Sequence, residues 1–71
     1  MLRVELAQGE GPVAVLMLDE ERNKVSDLLT RAGVSLDGRK IRVNGETEDA
    51  DFRLSDGDLV MLYQKVAGGN V

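Results

Sequence analysis

Cysteine and histidine are both absent from this 71-residue chain. Without thiols there is no disulfide, no thiolate nucleophile and no zinc-thiolate site. Without imidazole the commonest general base and metal ligand is missing, so Ser26, Ser35 and Ser55 have nothing of that kind to activate them. Tryptophan is absent too, and one tyrosine with one phenylalanine gives no stacking platform for exposed bases. These gaps remove most catalytic constellations, and a non-enzymatic role with no resident cofactor is expected. The longest apolar run, Val13 to Leu18, falls far below what a bilayer span requires, and the opening MLRVEL has no signal-peptide core. A cytoplasmic location without a membrane anchor is the expectation.

Positive charge is in the minority, with 9 basic against 13 acidic side chains and a net charge of -4. Such a surface field repels phosphate backbones, so nucleic acid is not an expected ligand, and a macromolecular partner is expected to offer a basic docking face. Hydrophobic residues at 42% and charged residues at 31% are ordinary for a globular chain. A chain this short buries only about 60% of its unfolded surface and cannot divide that core in two. One domain over residues 1–66, monomeric, with a flexible tail over residues 67–71, is expected.

Leu2 to Leu6 alternate apolar and charged, which places Leu2, Val4 and Leu6 on one face of a strand and Arg3 and Glu5 on the other. The turn formers Gln8-Gly9-Glu10-Gly11-Pro12 then precede VAVLML, a second short strand. Gly9-x-Gly11 lacks the third glycine and the strand-to-helix setting of a dinucleotide loop, and reads as a turn. Val25, Leu28, Leu29 and Ala32 fall at i, i+3, i+4, i+7 and predict one amphipathic helix. Asp19 to Asn23 offer caps at its start and Gly33 a left-handed cap at its end.

Further on, Lys40 to Val43 alternate as a strand, Asn44-Gly45 is a strong hairpin signal, and Glu46 to Glu48 return as a short edge strand. A loop holding Phe52 and Leu54 leads through Ser55-Asp56-Gly57-Asp58 into a last strand from Leu59 to Val66. Asp49, Asp51, Asp56 and Asp58 lack the D-x-D-x-D-G register of a calcium loop and read as a solvated acidic edge. The order β-β-α-β-β-β, with the last strand needing a central place to cover the helix, fits an α+β fold of the β-grasp type: a mixed sheet of four or five strands with one helix on one face. A generic α+β sandwich with another strand order has the same pattern.

Two runs, VAVLML and LVMLY, are apolar at consecutive positions, whereas a single helix covers one face of a sheet. Exposed apolar surface is therefore expected as a protein-docking patch. Either Val13, Val15 and Met17 point inward with Ala14, Leu16 and Leu18 outward, or the reverse; Met61 and Tyr63 share one face of the last strand. The docking candidates are Leu16, Leu18, Met61 and Tyr63.

The stretches Val43-Asn44-Gly45, Leu54-Ser55-Asp56-Gly57-Asp58 and the terminal Gly68-Gly69 resemble the ubiquitin-like sulfur carriers, among them the small subunit of molybdopterin synthase and the thiamine-biosynthesis carrier. The resemblance covers the C-terminal half; the N-terminal half matches in its order of elements. It implies a carrier whose C-terminal glycine carboxylate is adenylated by an ATP-dependent activating enzyme, then converted to a thiocarboxylate or transferred to an amine. Gly68 and Gly69 would form a thin arm able to enter a narrow slot, and six extended residues from Val66 reach roughly 20 Å. Asn70 and Val71 depart from that pattern, because they hold the Gly69 carboxyl in a peptide bond. Either a processing protease trims the chain after Gly69, or this copy has lost conjugation and keeps the fold.

Overall fold

The strands and the helix follow from where apolar side chains fall. The computed structural model describes residues 1–9 and 11–64, and the elements run β1 (Leu2–Gln8), β2 (Ala14–Leu18), α1 (Val25–Ala32), β3 (Arg39–Val43), β4 (Glu46–Glu48) and β5 (Leu59–Gln64). The sheet order is β2-β1-β5-β3-β4. β1 and β5 are parallel, and the other neighbours are antiparallel. This is the expected β-grasp arrangement, with the last strand at the centre. β1 runs two residues past the Leu2 to Leu6 alternation because Ala7 and Gln8 pair with Met61 and Leu62 of β5. Lys65 and Val66 of the predicted last strand lie outside the described residues.

The alternation puts Val4 and Leu6 of β1, Ile41 and Val43 of β3, and Val60 and Leu62 of β5 on one face, where Val25, Leu28 and Leu29 of α1 cover them. Each large side chain so buried contributes about 1.5–3 kcal/mol, an upper figure because denatured chains are already partly compact. Leu54, from the loop before β5, closes the same core.

The start of α1 differs from the expectation. The cap is Lys24, not a residue of Asp19 to Asn23, and its backbone N–H donates to Asp27 Oδ2 at 3.0 Å. The next two helix donors, Val25 N and Ser26 N, reach the carbonyls of Phe52 and Ala50, both at 3.0 Å. The helix N-terminus is thus satisfied by a carboxylate inside its first turn and by the distant loop before β5, a long-range solution that no local cap pattern records. Asn23 serves the same junction: its side chain donates to the Leu54 carbonyl and accepts from Arg53. At the other end Gly33 takes the left-handed conformation expected of it, with φ 70°. Its N–H donates to the Thr30 carbonyl and that of Val34 to the Leu29 carbonyl, closing the helix.

The register of β2 reverses the placement expected of two docking candidates. Leu16 stands opposite Val4 and Leu18 opposite Leu2. Directly opposed residues of an antiparallel pair share a face, and Val4 is wholly buried, so Leu16 and Leu18 turn toward the helix. Leu18 belongs to the core at 2% exposure, and Leu16 packs against it half-buried. Val13, Val15 and Met17 take the outward places instead. Among the described residues no helix is long and apolar enough to cross a membrane.

Truncating Leu28 to alanine is expected to cost about 2–5 kcal/mol, because the cavity opens where helix and sheet meet. Val15→Ala on the outer face is expected to cost under about 0.5 kcal/mol. Urea denaturation of both variants checks the contrast.

Candidate docking face

With one helix for five strands, the second face of the sheet has no layer over it among the described residues. Cross-strand pairing sets its side chains in rows: Met17 beside Arg3, then Val15, Glu5 and Leu59, then Ala7, Met61, Arg42 and Thr47, then Tyr63 beside Lys40. Val15 and Met17 of the edge strand are 50% and 42% exposed, and Met61 in the middle of the sheet is 40% exposed. An exposed methionine on a central strand is the distinctive feature, because that position is ordinarily covered in a layered fold. Apolar side chains stand on β2 and on β5 to either side of Arg3 and Glu5 of β1, and the face ends at a polar corner on β3.

Tyr63 and Arg42 build that corner. The Arg42 guanidinium lies 5.0 Å from the centre of the Tyr63 ring, and its Nε donates to the Tyr63 hydroxyl at 3.4 Å. The hydrogen bond from Arg42 holds the pKa of the Tyr63 hydroxyl below its ordinary value; partial desolvation opposes this, and Thr47 with the charges of Arg42 and Lys40 adds to it. Elsewhere on the face Glu5 pairs with Arg3 at 3.8 Å.

Beneath one end of the face, the two turn motifs quoted above hydrogen-bond to each other. Asn44, at φ 53°, precedes Gly45 at φ 89° in the hairpin between β3 and β4. Its side-chain nitrogen donates to Asp58 Oδ1 at 2.9 Å and its oxygen accepts from Leu59 N at 3.0 Å. Asp58 Oδ2 accepts from Ser55 N at 2.8 Å, and Asp56 Oδ1 accepts from Arg3 N at 2.8 Å. Gly57 N donates to the Arg3 carbonyl at 2.7 Å, so the loop before β5 is tied to the start of β1 as well. Asp49 accepts from Asp51 N at 3.0 Å. Of the four aspartates expected as a solvated acidic edge, Asp49, Asp51 and Asp56 are exposed and Asp58 is half-buried, and Asp49, Asp56 and Asp58 also accept backbone hydrogen bonds at turns and strand junctions. Sequence reasoning identified each turn and missed their union, since a contact 14 residues apart leaves no local pattern.

Of the site residues read from the sequence, Met61 and Tyr63 lie together on the outer face and Leu16 and Leu18 do not join them. Gly68 and Gly69 lie outside the described residues. β5, which leads toward them, is flanked by β1 and β3, and Arg39 donates across it to the Gln8 side chain at 2.9 Å.

No protein-family model matches the chain, and no curated protein matches its sequence. Solved structures do match its fold. SAMP1 from Haloferax volcanii superposes with a TM-score of 0.71 at 18% identity, over 94% of this chain and 99% of that one. A Caldiarchaeum subterraneum ubiquitin gives 0.64 at 15% identity, over 96% and 98%. A designed protein based on the template of human erythrocytic ubiquitin gives 0.61 at 23% identity over the whole of both chains. The fold is the ubiquitin-like β-grasp.

Asn44→Gly keeps the positive φ accessible while removing both side-chain bonds, and is expected to cost about 1–3 kcal/mol in urea denaturation. Tyr63 is expected to ionise below its ordinary value, and Arg42→Gln to move the midpoint upward, as followed by tyrosinate absorbance; with one tyrosine and no tryptophan the signal has a single source. Between the lowered folded value and the ordinary one the unfolded chain holds more protons. Tyr63 therefore makes stability rise with pH across that window and adds nothing below it.

Proposed function

We propose that the chain is a non-catalytic ubiquitin-like carrier or modifier whose working group is the Gly69 carboxyl. The observation that carries this reading is the Gly68-Gly69 pair five residues at most beyond Gln64, the last described residue of the central strand of a ubiquitin-like fold. Water added across the Gly69–Asn70 peptide bond by a processing protease would free the carboxylate. In the slot of an activating enzyme that carboxylate attacks the α-phosphorus of ATP, forms an acyl adenylate and expels pyrophosphate. Sulfide then takes the acyl group as a thiocarboxylate, or an amine takes it as an amide, and AMP leaves. Two glycines suit such an arm because the absence of side chains allows passage through a narrow channel. A rigid domain beside the arm converts docking of the sheet face into positioning of the carboxylate. The catalytic groups belong to the partner, consistent with a chain that has neither histidine nor cysteine.

The exposed strip of Val15, Met17 and Met61 favours a second reading, a non-conjugating β-grasp module that binds its partner through the sheet face alone. It is distinguished by deletion of residues 67–71, which leaves such a module active and inactivates a carrier. Met61→Lys, by contrast, disables docking in both.

Intact-mass measurement of the chain recovered from its native host tests the carrier reading. The expected species ends at Gly69 and gains the mass of an AMP moiety when incubated with ATP and the activating enzyme. A product that always retains Asn70 and Val71 overturns it.

A further inference from the structure

The charge on the outer sheet face runs against the charge of the chain. The whole protein carries -4, yet the strands place Arg3, Lys40 and Arg42 on this face with Glu5 as its one carboxylate among the described residues, three cations against one anion. Glu5 is already engaged by Arg3. Among the described residues, Lys40 and Arg42 have no carboxylate within ion-pair distance, although acidic side chains outnumber basic ones over the chain. Arg42 is also held in place: stacked against Tyr63 and bonded through Nε, it keeps its two terminal nitrogens for another acceptor and has less side-chain freedom to lose on binding.

From this juxtaposition we infer that the partner of the sheet face is a protein surface that lays apolar side chains on Val15, Met17 and Met61 and sets a carboxylate against Arg42 and Lys40. The inference rests on the docking reading of this face and replaces the basic partner expected from net charge alone. A nucleic acid fits less well, because a phosphate backbone leaves the apolar strip uncovered and meets repulsion from the acidic remainder of the chain. A second copy offering the same face brings Lys40 and Arg42 against cations or against a Glu5 that is already paired. An acidic, apolar protein surface is the occupant that satisfies both the strip and the corner, and the complementary charge selects it over other hydrophobic partners.

The test uses the full 71-residue chain and three probes. Two are synthetic amphipathic peptides with the same leucine spacing, one with glutamate and one with lysine at every polar position. The third is a single-stranded oligonucleotide. Backbone amide shifts locate binding, and Tyr63 fluorescence follows occupancy of the corner. The glutamate peptide is expected to move the amides of Val15, Met61, Arg42 and Tyr63 and to bind at least about tenfold more tightly than the lysine peptide. Lys40→Glu, which leaves the Arg42–Tyr63 stack intact, is expected to weaken it about fivefold or more, as is Arg42→Glu. Met61→Lys abolishes it. Equal binding of the two peptides, equal binding of the oligonucleotide, shifts confined to another surface, or no shifts overturn the proposal. A chain that is trimmed and adenylated yet does not distinguish the peptides loses this inference alone. One that prefers the glutamate peptide but never loses Asn70 and Val71 loses the carrier reading alone.

Discussion

One helix has to cover a sheet of five strands, and the rest of the molecule follows from that shortage. α1 supplies Val25, Leu28 and Leu29 to a single face, and the parallel pairing of β1 with β5 puts Leu6, Val60 and Leu62 under it. With no covering layer among the described residues, the second face keeps Val15, Met17 and Met61 exposed. An apolar strip of this kind is costly to solubility unless it is used. The same arrangement thus provides both the stability of the domain and its exposed apolar surface.

The strength of the central pairing depends on how its ends are fixed. Asn44 joins the β3–β4 hairpin to Asp58 and Leu59, while Asp56 and Gly57 hold the start of β1. Three strands are fastened at one end by side chains that a sequence reader assigns to separate turns. This places β5 firmly between its neighbours, and β5 is the strand from which the chain continues toward Gly68 and Gly69.

Much of this was legible in the order of residues. Alternation in Leu2 to Leu6, the spacing of Val25, Leu28, Leu29 and Ala32, the Asn44-Gly45 turn and the Gly33 cap each express a local rule, and each element formed where the rule put it. The central place of the last strand was also readable, since that strand has to lie under the helix. What escaped was set at long range. VAVLML is apolar at both parities, so its facing was decided by the register of Leu16 with Val4, not by its own pattern. The helix start was decided by the carbonyls of Ala50 and Phe52. The aspartates do face solvent, but that Asp56 also accepts from Arg3 N and Asp58 from the Asn44 side chain was set at long range. Local charge on the sheet face was hidden as well, because net charge says nothing about which cations share a surface.

The central claim is that the helix closes one sheet face and leaves the other open to solvent and to partners. The three methionines, Met1, Met17 and Met61, make it measurable, since two of them stand on the outer face and the third, 64% exposed, is an internal reference. Peroxide oxidation of the folded chain, read by peptide mass spectrometry, is predicted to convert Met17 and Met61 at rates within about a factor of a few of Met1 while the fold persists. Strong protection of Met61 relative to Met1 would mean that the face is covered, and would contradict the account.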